Sequence, residues 1–152
     1  MKKYIIELSE DQLRLISNCL EDVSRFASGQ WSMYHTINEI VKVLPIDEQM
    51  DRQNYAETLL KKVKNVLLPN IPDNSSKGYN GTDFIGNTYQ IYRTILHQLA
   101  VDNKLDNVYS SPALPSGNMG PINIKVRGNN KNPPLPPKDR EIHISGKSRH
   151  KR

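Results

Sequence analysis

The sequence predicts a mostly helical α+β domain, in which about four helices pack with a small two- or three-stranded sheet, followed by a cationic C-terminal tail. Long segments repeat apolar residues every three or four positions, which is typical of amphipathic helices. Short β-branched stretches near both ends of that region predict strands. From residue 128 the chain is rich in proline and basic residues. We therefore expect a domain of residues 1–127 and a disordered or conditionally ordered tail of residues 128–152.

The first strand and helix are predicted from the N-terminal residues. The stretch "KYIIEL", residues 3–8, is β-branched and aromatic enough for a strand. Ser9 followed by Gln12 fits a capping box, so a helix should begin there. Gly29 should end it. Its expected core face is an apolar stripe of Leu13, Ile16, Leu20, Val23 and Ala27.

Three further helices are predicted, over residues 31–44, 48–68 and 83–102. Pro45 and Pro69 end the first two of these, since proline cannot continue a helix. Residues 69–82 contain mostly turn formers and predict a loop. The expected inward residues are Met33, Ile37, Ile40, Val41 and Leu44 in one helix and Tyr55, Leu59, Leu60, Val63, Val66 and Leu67 in the next.

The predicted sheet joins the two ends of the domain. "INIKV", residues 122–126, alternates apolar and polar side chains and is the expected partner of residues 3–8. "EIHIS", residues 141–145, alternates in the same way and can add a third strand. Because two strands alone are only marginally stable, the sheet is expected to pack on the helices.

The positive charge is concentrated at the C-terminal end. The net charge is +5, but nine basic and two acidic residues follow position 124, leaving a net charge of −2 on the rest. The helical region is therefore not expected to be a nucleic-acid platform. The terminal cations Lys147, Arg149, Lys151 and Arg152 can attract phosphates, and a solvated tail that aids solubility is an equal alternative.

The composition also bounds the compartment and the chemistry. No apolar run reaches eighteen residues, and Cys19 is the only cysteine, which together predict a protein of a reducing cytoplasm. The four histidines show no metal-ligand spacing. The sequence contains no recognisable catalytic constellation. We expect no metal, no cofactor and no enzymatic activity.

One candidate binding site stands out in "GNTYQIYRTILHQL", residues 86–99. On a helix, Tyr89, Arg93 and His97 form one column, because residues four apart share a face. Arginine offers a planar fork for phosphate or carboxylate, and the rings offer stacking faces. Lys77 and Tyr79, in the glycine-containing stretch "SSKGYNG", can close over the same ligand.

The alternative interpretation of this column is an ordinary polar helix edge. An arginine on an amphipathic helix is most often solvated or paired within the chain. Glu21 and Asp83 are the expected partners of Arg93 under that interpretation.

The stretches "ELSEDQLRLISNCLEDVSRFASGQ", "GYNG" and "NTYQIYRTILHQL" resemble a group of small proteins of no assigned activity encoded by bacteriophages and mobile elements of gut bacteria. The resemblance covers roughly the first hundred residues and implies an accessory phage protein. Such proteins often block or sequester a host factor. We therefore expect a non-enzymatic binding protein that occupies a host protein or a nucleotide-like signal, with an anti-defence role. The alternative is a nucleic-acid-associated protein that uses the tail.

Overall fold

The computed structural model describes residues 2–120 and 122–127, and four helices account for the regular structure in them. Their order along the chain is α1 (Glu10–Ser28), α2 (Tyr34–Val41), α3 (Ile46–Leu67) and α4 (Asp83–Asp102). The predicted bounds of the last helix are confirmed, and the third differs by one or two residues at each end. The second is shorter than residues 31–44, because Met33 provides no side-chain cap and the helix begins only after it.

The predicted α+β class is wrong, since no strand forms in residues 2–120 or 122–127. The two expected strands do approach each other, because Arg127 donates a hydrogen bond to the Glu7 carboxylate. Residues 3–8 are all exposed, however, with Ile5 at 94%, and the other segment is at most half-buried, at Ile122 and Ile124. A strand pair without a covered apolar face lacks the burial that stabilises a sheet. The third expected strand, residues 141–145, lies outside the described residues.

Both ends of α1 form as its sequence predicts. The Ser9 hydroxyl accepts from the Gln12 amide at 3.2 Å, and the Gln12 side chain accepts from the Ser9 amide at 2.8 Å, which is the predicted capping box. Gly29 adopts a left-handed conformation with φ of 103°, which glycine tolerates and which ends the helix. Its amide donates to carbonyl groups of the last helical turn.

The antiparallel pair of α1 and α4 is the main packing unit. Near one end, Asn103 donates to the Glu10 carboxylate at 3.3 Å. Near the other, the Ser24 hydroxyl donates to the Ile85 carbonyl at 3.5 Å. The chain direction of the two helices is therefore opposed. Most of the buried apolar side chains come from α4, and the full set is Ile37, Val41, Ile85, Tyr92, Ile95, Leu99 and Ala100.

The buried face of α1 is polar, which the sequence did not predict. In the expected apolar stripe, Ile16 and Val23 are each 37% exposed, and the other members are half-buried. The residues actually buried on the adjoining face are Ser17, Glu21, Ser24 and Ser28. Three of these four are small, so the backbone of α4 can approach closely. Periodicity identified the helix but selected the wrong face as its core.

A buried carboxylate on α1 organises the start of α2. Asp22, which is 1% exposed, accepts from the Thr36 amide at 2.6 Å and from the His35 amide at 3.2 Å. These amides belong to the first turn of α2 and have no partner within their own helix. The negative charge also complements the positive end of the helix dipole. Asp22 therefore caps α2 from a neighbouring helix.

The loop after α4 folds back onto the start of that helix. The Asn87 side chain accepts from the Asn118 amide at 2.9 Å, and the Ser116 hydroxyl donates to the Gly86 carbonyl at 2.9 Å. A Cβ atom on Gly86 would collide with the backbone of Gly117. Glycine is required at this point because two stretches of backbone meet there.

The C-terminal end of α3 is fixed by a buried lysine. The ammonium group of Lys64, whose side chain is fully buried, donates to the Ile71 carbonyl at 2.7 Å and lies 3.0 Å from the Asp73 carboxylate. Lys61 lies 2.9 Å from the other oxygen of Asp73. Hydrogen bonds from Lys61 and then Lys64 lower the pKa of Asp73 to about 2. Two cations of α3 are thus paired with the loop that follows it.

Replacing Asp22 tests its capping role. Asp22→Ala leaves two helix amides without their acceptor and should lower the free energy of unfolding by about 1 to 3 kcal/mol, as measured by urea denaturation. Asp106→Ala is the control, because Asp106 is exposed and should change stability by no more than about 0.5 kcal/mol. Equal stability of the two variants would show that Asp22 does not hold α2.

Candidate functional site

The more enclosed of two clefts on the described chain lies where the end of α1 meets the start of α4. We call it the Arg25 cleft; its volume is about 190 Å³. This is below the range of about 300 to 1,000 Å³ common for drug-sized ligands. The cleft can therefore enclose only a compact part of a ligand, such as a planar ring or a phosphate, and the rest of a larger ligand would lie outside it. It is lined by Ser24, Arg25, Ser28, Gln30, Gly78, Tyr79, Ile85, Tyr89 and Tyr92.

Three separate stretches of sequence build this cleft. The left-handed turn at Gly29 ends α1 and places Gln30 beside Arg25. A Cβ atom on Gly29 would meet the Ile71 side chain at 2.9 Å, so space as well as backbone conformation favours glycine. The loop before α4 is tied to the same turn, because the Lys77 amide donates to the Ser28 carbonyl at 2.7 Å.

The Arg25 guanidinium, at the lining of the cleft, is held in position by neighbouring side chains. Its Nε and Nη2 donate to one oxygen of Glu21 at 2.9 and 2.7 Å, and its Nη1 donates to Gln30 at 2.9 Å. Arginine has five N–H donors, so two remain without a partner among the described residues. The Arg25 side chain is 45% exposed, whereas the Glu21 side chain is 4% exposed. Arg25 can therefore bind an anion without breaking its pair with Glu21.

Glu21 also changes the pKa values of neighbouring side chains. Burial alone would lower the pKa of Arg25, but the hydrogen bond and charge of Glu21 outweigh it and raise that pKa above its ordinary value. The other Glu21 oxygen lies 3.3 Å from Nε2 of His35. Burial and the Glu21 charge raise the pKa of Tyr92 to about 12. The cleft thus presents a permanent cation and a neutral hydroxyl at pH 7.

Two tyrosines form one wall of the cleft. Tyr79, from the loop, stacks on Tyr89 of α4 with ring centroids 4.8 Å apart and planes 21° apart. Tyr92 packs edge-on against Tyr89 at 5.5 Å. Aromatic faces bind planar ligands by stacking. Tyr79 and Tyr89 each cover one face of the other, so a ligand ring would have to stack on an outer face of this pair.

The remaining residues of the predicted column bind the chain's own loop. Nη2 of Arg93 donates to the Val108 carbonyl at 3.0 Å, and the guanidinium lies 4.8 Å from the centre of the Tyr109 ring. Nδ1 of His97 lies 2.9 Å from the Tyr109 carbonyl, so that nitrogen carries the donated proton. Neither predicted partner of Arg93 is used. Glu21 pairs with Arg25, and Asp83 accepts from a loop asparagine.

The predicted site residues that the structure describes thus fall into two groups. The structure brings Tyr79 and Tyr89 together in the Arg25 cleft, with Lys77 exposed immediately before the cleft-lining part of the loop. Arg93 and His97 are instead occupied by residues 108–109. The predicted nucleic-acid residues Lys147, Arg149, Lys151 and Arg152 lie outside the described residues.

Sequence reasoning missed Arg25, Gln30 and Tyr92. The sequence does not identify Arg25 as a site residue, because its cleft depends on the position of α4. The stretch "SRFASGQ" contains a usable signal. Its glycine ends the helix, so the polar residue that follows, Gln30, can contact Arg25 in the last helical turn. Tyr92 lies three residues after Tyr89, so a column of residues spaced by four does not include it.

A second, more open cleft offers less chemistry. Its volume is about 310 Å³, and it is lined by Gln30, Trp31, Ser32 and residues 73–76. Its one charged lining residue, Asp73, is paired with Lys61 and Lys64. It therefore has no cationic lining residue that could donate to an anionic ligand.

Residues 2–120 and 122–127 contain neither a candidate membrane-spanning helix nor a candidate metal-binding group. Within that part of the chain, no helix has the length and hydropathy needed to cross a bilayer. The same residues contain no group of three or more histidine, cysteine, aspartate or glutamate side chains that could hold a metal ion.

Comparison of the chain with protein-family models, with curated proteins and with solved structures finds no match in any of the three.

The contacts of Arg93 predict a local effect. Arg93→Lys loses the planar fork and the stacking on Tyr109, which should weaken docking of the loop at residues 104–111 by about 1 to 2 kcal/mol. Faster amide hydrogen exchange in a peptide covering that loop would report it. Arg14→Lys is the control, because Arg14 forms only an exposed ion pair with Glu10. Unchanged exchange in the loop would rule out this docking role.

Proposed function

We propose that this protein is a non-enzymatic accessory binding protein of phage origin, and that the Arg25 cleft is its binding site for a nucleotide-like ligand. The observation that carries the proposal is the position of a half-exposed guanidinium beside a stacked pair of tyrosines. A nucleotide combines a phosphate with a planar base, and these are the two groups that such a pair of features recognises.

The unused donors of Arg25 are the phosphate-binding element. Because Glu21 already fixes the guanidinium, little side-chain entropy is lost when an anion binds. The hydroxyl of Tyr92 lines the same cleft and makes no hydrogen bond to any described residue, so it can supply one further donor. The ligand's ring is expected to lie along the wall formed by Tyr79 and Tyr89.

The protonation states of these groups favour binding over catalysis. A general acid or base works best when its pKa lies near the operating pH. The pKa of Arg25 is raised, and that of Tyr92 is about 12, so neither group exchanges a proton readily at pH 7. Glu21 is 3% exposed and occupied by Arg25. The cleft is therefore suited to holding a ligand unchanged.

Sequestration in the cytoplasm of a bacterial host fits this chemistry. A protein that binds a nucleotide-like signal without converting it lowers the free concentration of that signal, and an accessory phage protein can counter host defence in this way. The resemblance to phage-encoded proteins supplies the setting. A host protein seated on the same surface is the other partner that this proposal includes.

Binding of nucleoside monophosphates tests the proposal. We expect at least one of AMP, GMP, CMP and UMP to bind the full-length protein in calorimetry. Arg25→Lys keeps the charge but loses the fork, and should weaken that binding by about 1.5 to 3 kcal/mol. Arg14→Lys is the matched control, since Arg14 forms the same type of ion pair on α1 near its other end.

Thermal unfolding of the two lysine variants separates a binding defect from a folding defect. The nucleotide-binding proposal is wrong if none of the four nucleotides binds the wild type, or if Arg25→Lys binds as the wild type does.

A second candidate, a nucleic-acid-associated protein, is favoured by the surplus of seven positive charges after position 124. Such binding depends on counterion release and is insensitive to sequence.

The tail charges predict a change in salt dependence. Replacing Lys147, Arg149, Lys151 and Arg152 with glutamine should lower the slope of log affinity against log salt for duplex DNA by up to about 3 to 4. Replacing four cations before position 124, namely Lys2, Lys3, Lys42 and Lys104, is the control. A slope that is the same for the tail variant and the wild type would contradict this alternative.

A further inference from the structure

The loop before α4 contains an asparagine directly followed by a glycine, Asn80 and Gly81, and this pair occurs nowhere else in the sequence. Asn80 is exposed, and residues 79–82 form turns and bends instead of helix. The side-chain hydrogen bonds around this turn involve Ser76 and Thr82, whereas the Asn80 side chain forms none with a described residue. The amide group of Asn80 is therefore free to react with the backbone that follows it.

Gly81 presents an accessible backbone nitrogen to that amide group. Glycine has no Cβ atom to shield its nitrogen, and it allows backbone angles that other residues avoid. The hydrogen bond from the Gly81 amide to the Gly78 carbonyl is long, at 3.4 Å, so it holds the nitrogen only weakly. A Cβ atom on Gly78 would meet nothing within 4 Å, so this turn has space in which to move.

Asn118 shows how the fold restrains an asparagine in another loop. Its side chain donates to Asp83 at 2.8 Å and accepts from Asn87 at 3.0 Å. The nitrogen that would have to attack Asn118, the Met119 amide, donates to Asn87 at 3.0 Å. Both reacting groups of Asn118 are thus occupied by other hydrogen bonds, and Asn80 has no comparable restraint among the described residues.

We propose that Asn80 is a site of spontaneous deamidation, in which water is the co-reactant and no enzyme takes part. Asparagine is among the thermolabile residues of proteins. The Gly81 nitrogen attacks the side-chain carbonyl carbon of Asn80, a C–N bond forms, and the side-chain nitrogen leaves as ammonia with the proton that the Gly81 nitrogen loses. Water then opens the resulting succinimide ring at either of its two carbonyl groups. No atom is oxidised or reduced.

The two products differ in the course of the backbone. Opening of one C–N bond of the ring gives aspartate, with the backbone unchanged. Opening of the other gives isoaspartate, in which the backbone runs through the former side chain and gains one carbon atom between residues 80 and 81. Either product adds a carboxylate that is ionised at pH 7.

The longer backbone of isoaspartate should disturb one wall of the Arg25 cleft. The turn is tight at this point, because even a Cβ atom on Gly81 would lie 2.5 Å from the Cβ atom of Lys77. Tyr79 directly precedes Asn80 and stacks on Tyr89 of α4. We therefore expect the modification to displace the Tyr79 ring from Tyr89.

Peptide mass spectrometry of the full-length protein tests the site. Over about two weeks at about pH 8 and about 37 °C, we expect the peptide containing Asn80 to gain about 1 Da and to separate into two products. Its rate should exceed that of the peptide containing Asn74 by about tenfold. Asn74 is the matched control in the same molecule, because it is exposed in the same loop and is followed by Ser75. The proposal is overturned if Asn80 stays intact, or if the two asparagines convert at equal rates.

Asn80→Gln separates the modification from other effects of storage, because the longer glutamine side chain would have to close a larger ring. We expect the stored wild type to lose near-ultraviolet circular dichroism of its aromatic rings and stored Asn80→Gln to keep it. Asn74→Gln is the control and should change as the wild type does. An unchanged signal in the modified wild type would overturn the displacement of Tyr79. An equal loss in Asn80→Gln would show that the loss does not arise from Asn80 and would overturn it as well.

Discussion

The structure depends on two adjacent carboxylates buried in the middle of α1. Asp22 faces the start of α2 and satisfies two of its free amides, whereas Glu21 holds Arg25 and contacts His35. Buried carboxylates are costly unless they are fully paired, so both groups constrain what surrounds them. The position of α2 and the orientation of the cleft arginine follow from the same two residues.

This polar interior explains which parts of the fold could be predicted. Helix ends depend on local chemistry, so Ser9, Gln12 and Gly29 revealed the bounds of α1 correctly. Which face of a helix is buried depends on the elements that pack against it. The apolar stripe of α1 was wrongly predicted as its core face, because serines and a paired glutamate occupy the buried positions. The sheet was wrong for a related reason. Residues 3–8 and 122–126 have strand-like sequences, but neither segment contains a fully buried residue.

Part of the candidate site could be predicted from the sequence. Tyr79 and Tyr89 carry ring chemistry that is recognisable without a structure, and they do meet across the loop and α4. Spacing places Arg93 on the same helix face as Tyr89, but in the fold Arg93 contacts residues 108–109, and Arg25 lines the cleft with Tyr89. Spacing along one helix can identify neighbours on that helix. It carries no information about a residue on another helix that lies sixty-four positions earlier.

The small number of buried apolar side chains links the stability of the fold to ligand binding. The described core contains few large apolar side chains, and residues 4–6 and several apolar residues of α3 are exposed. A small domain with so little apolar burial has a small margin of stability. Any ligand that binds only the folded form adds stability by mass action. Occupation of the Arg25 cleft would join the end of α1 to the start of α4. Binding at this cleft would therefore strengthen the fold that creates it.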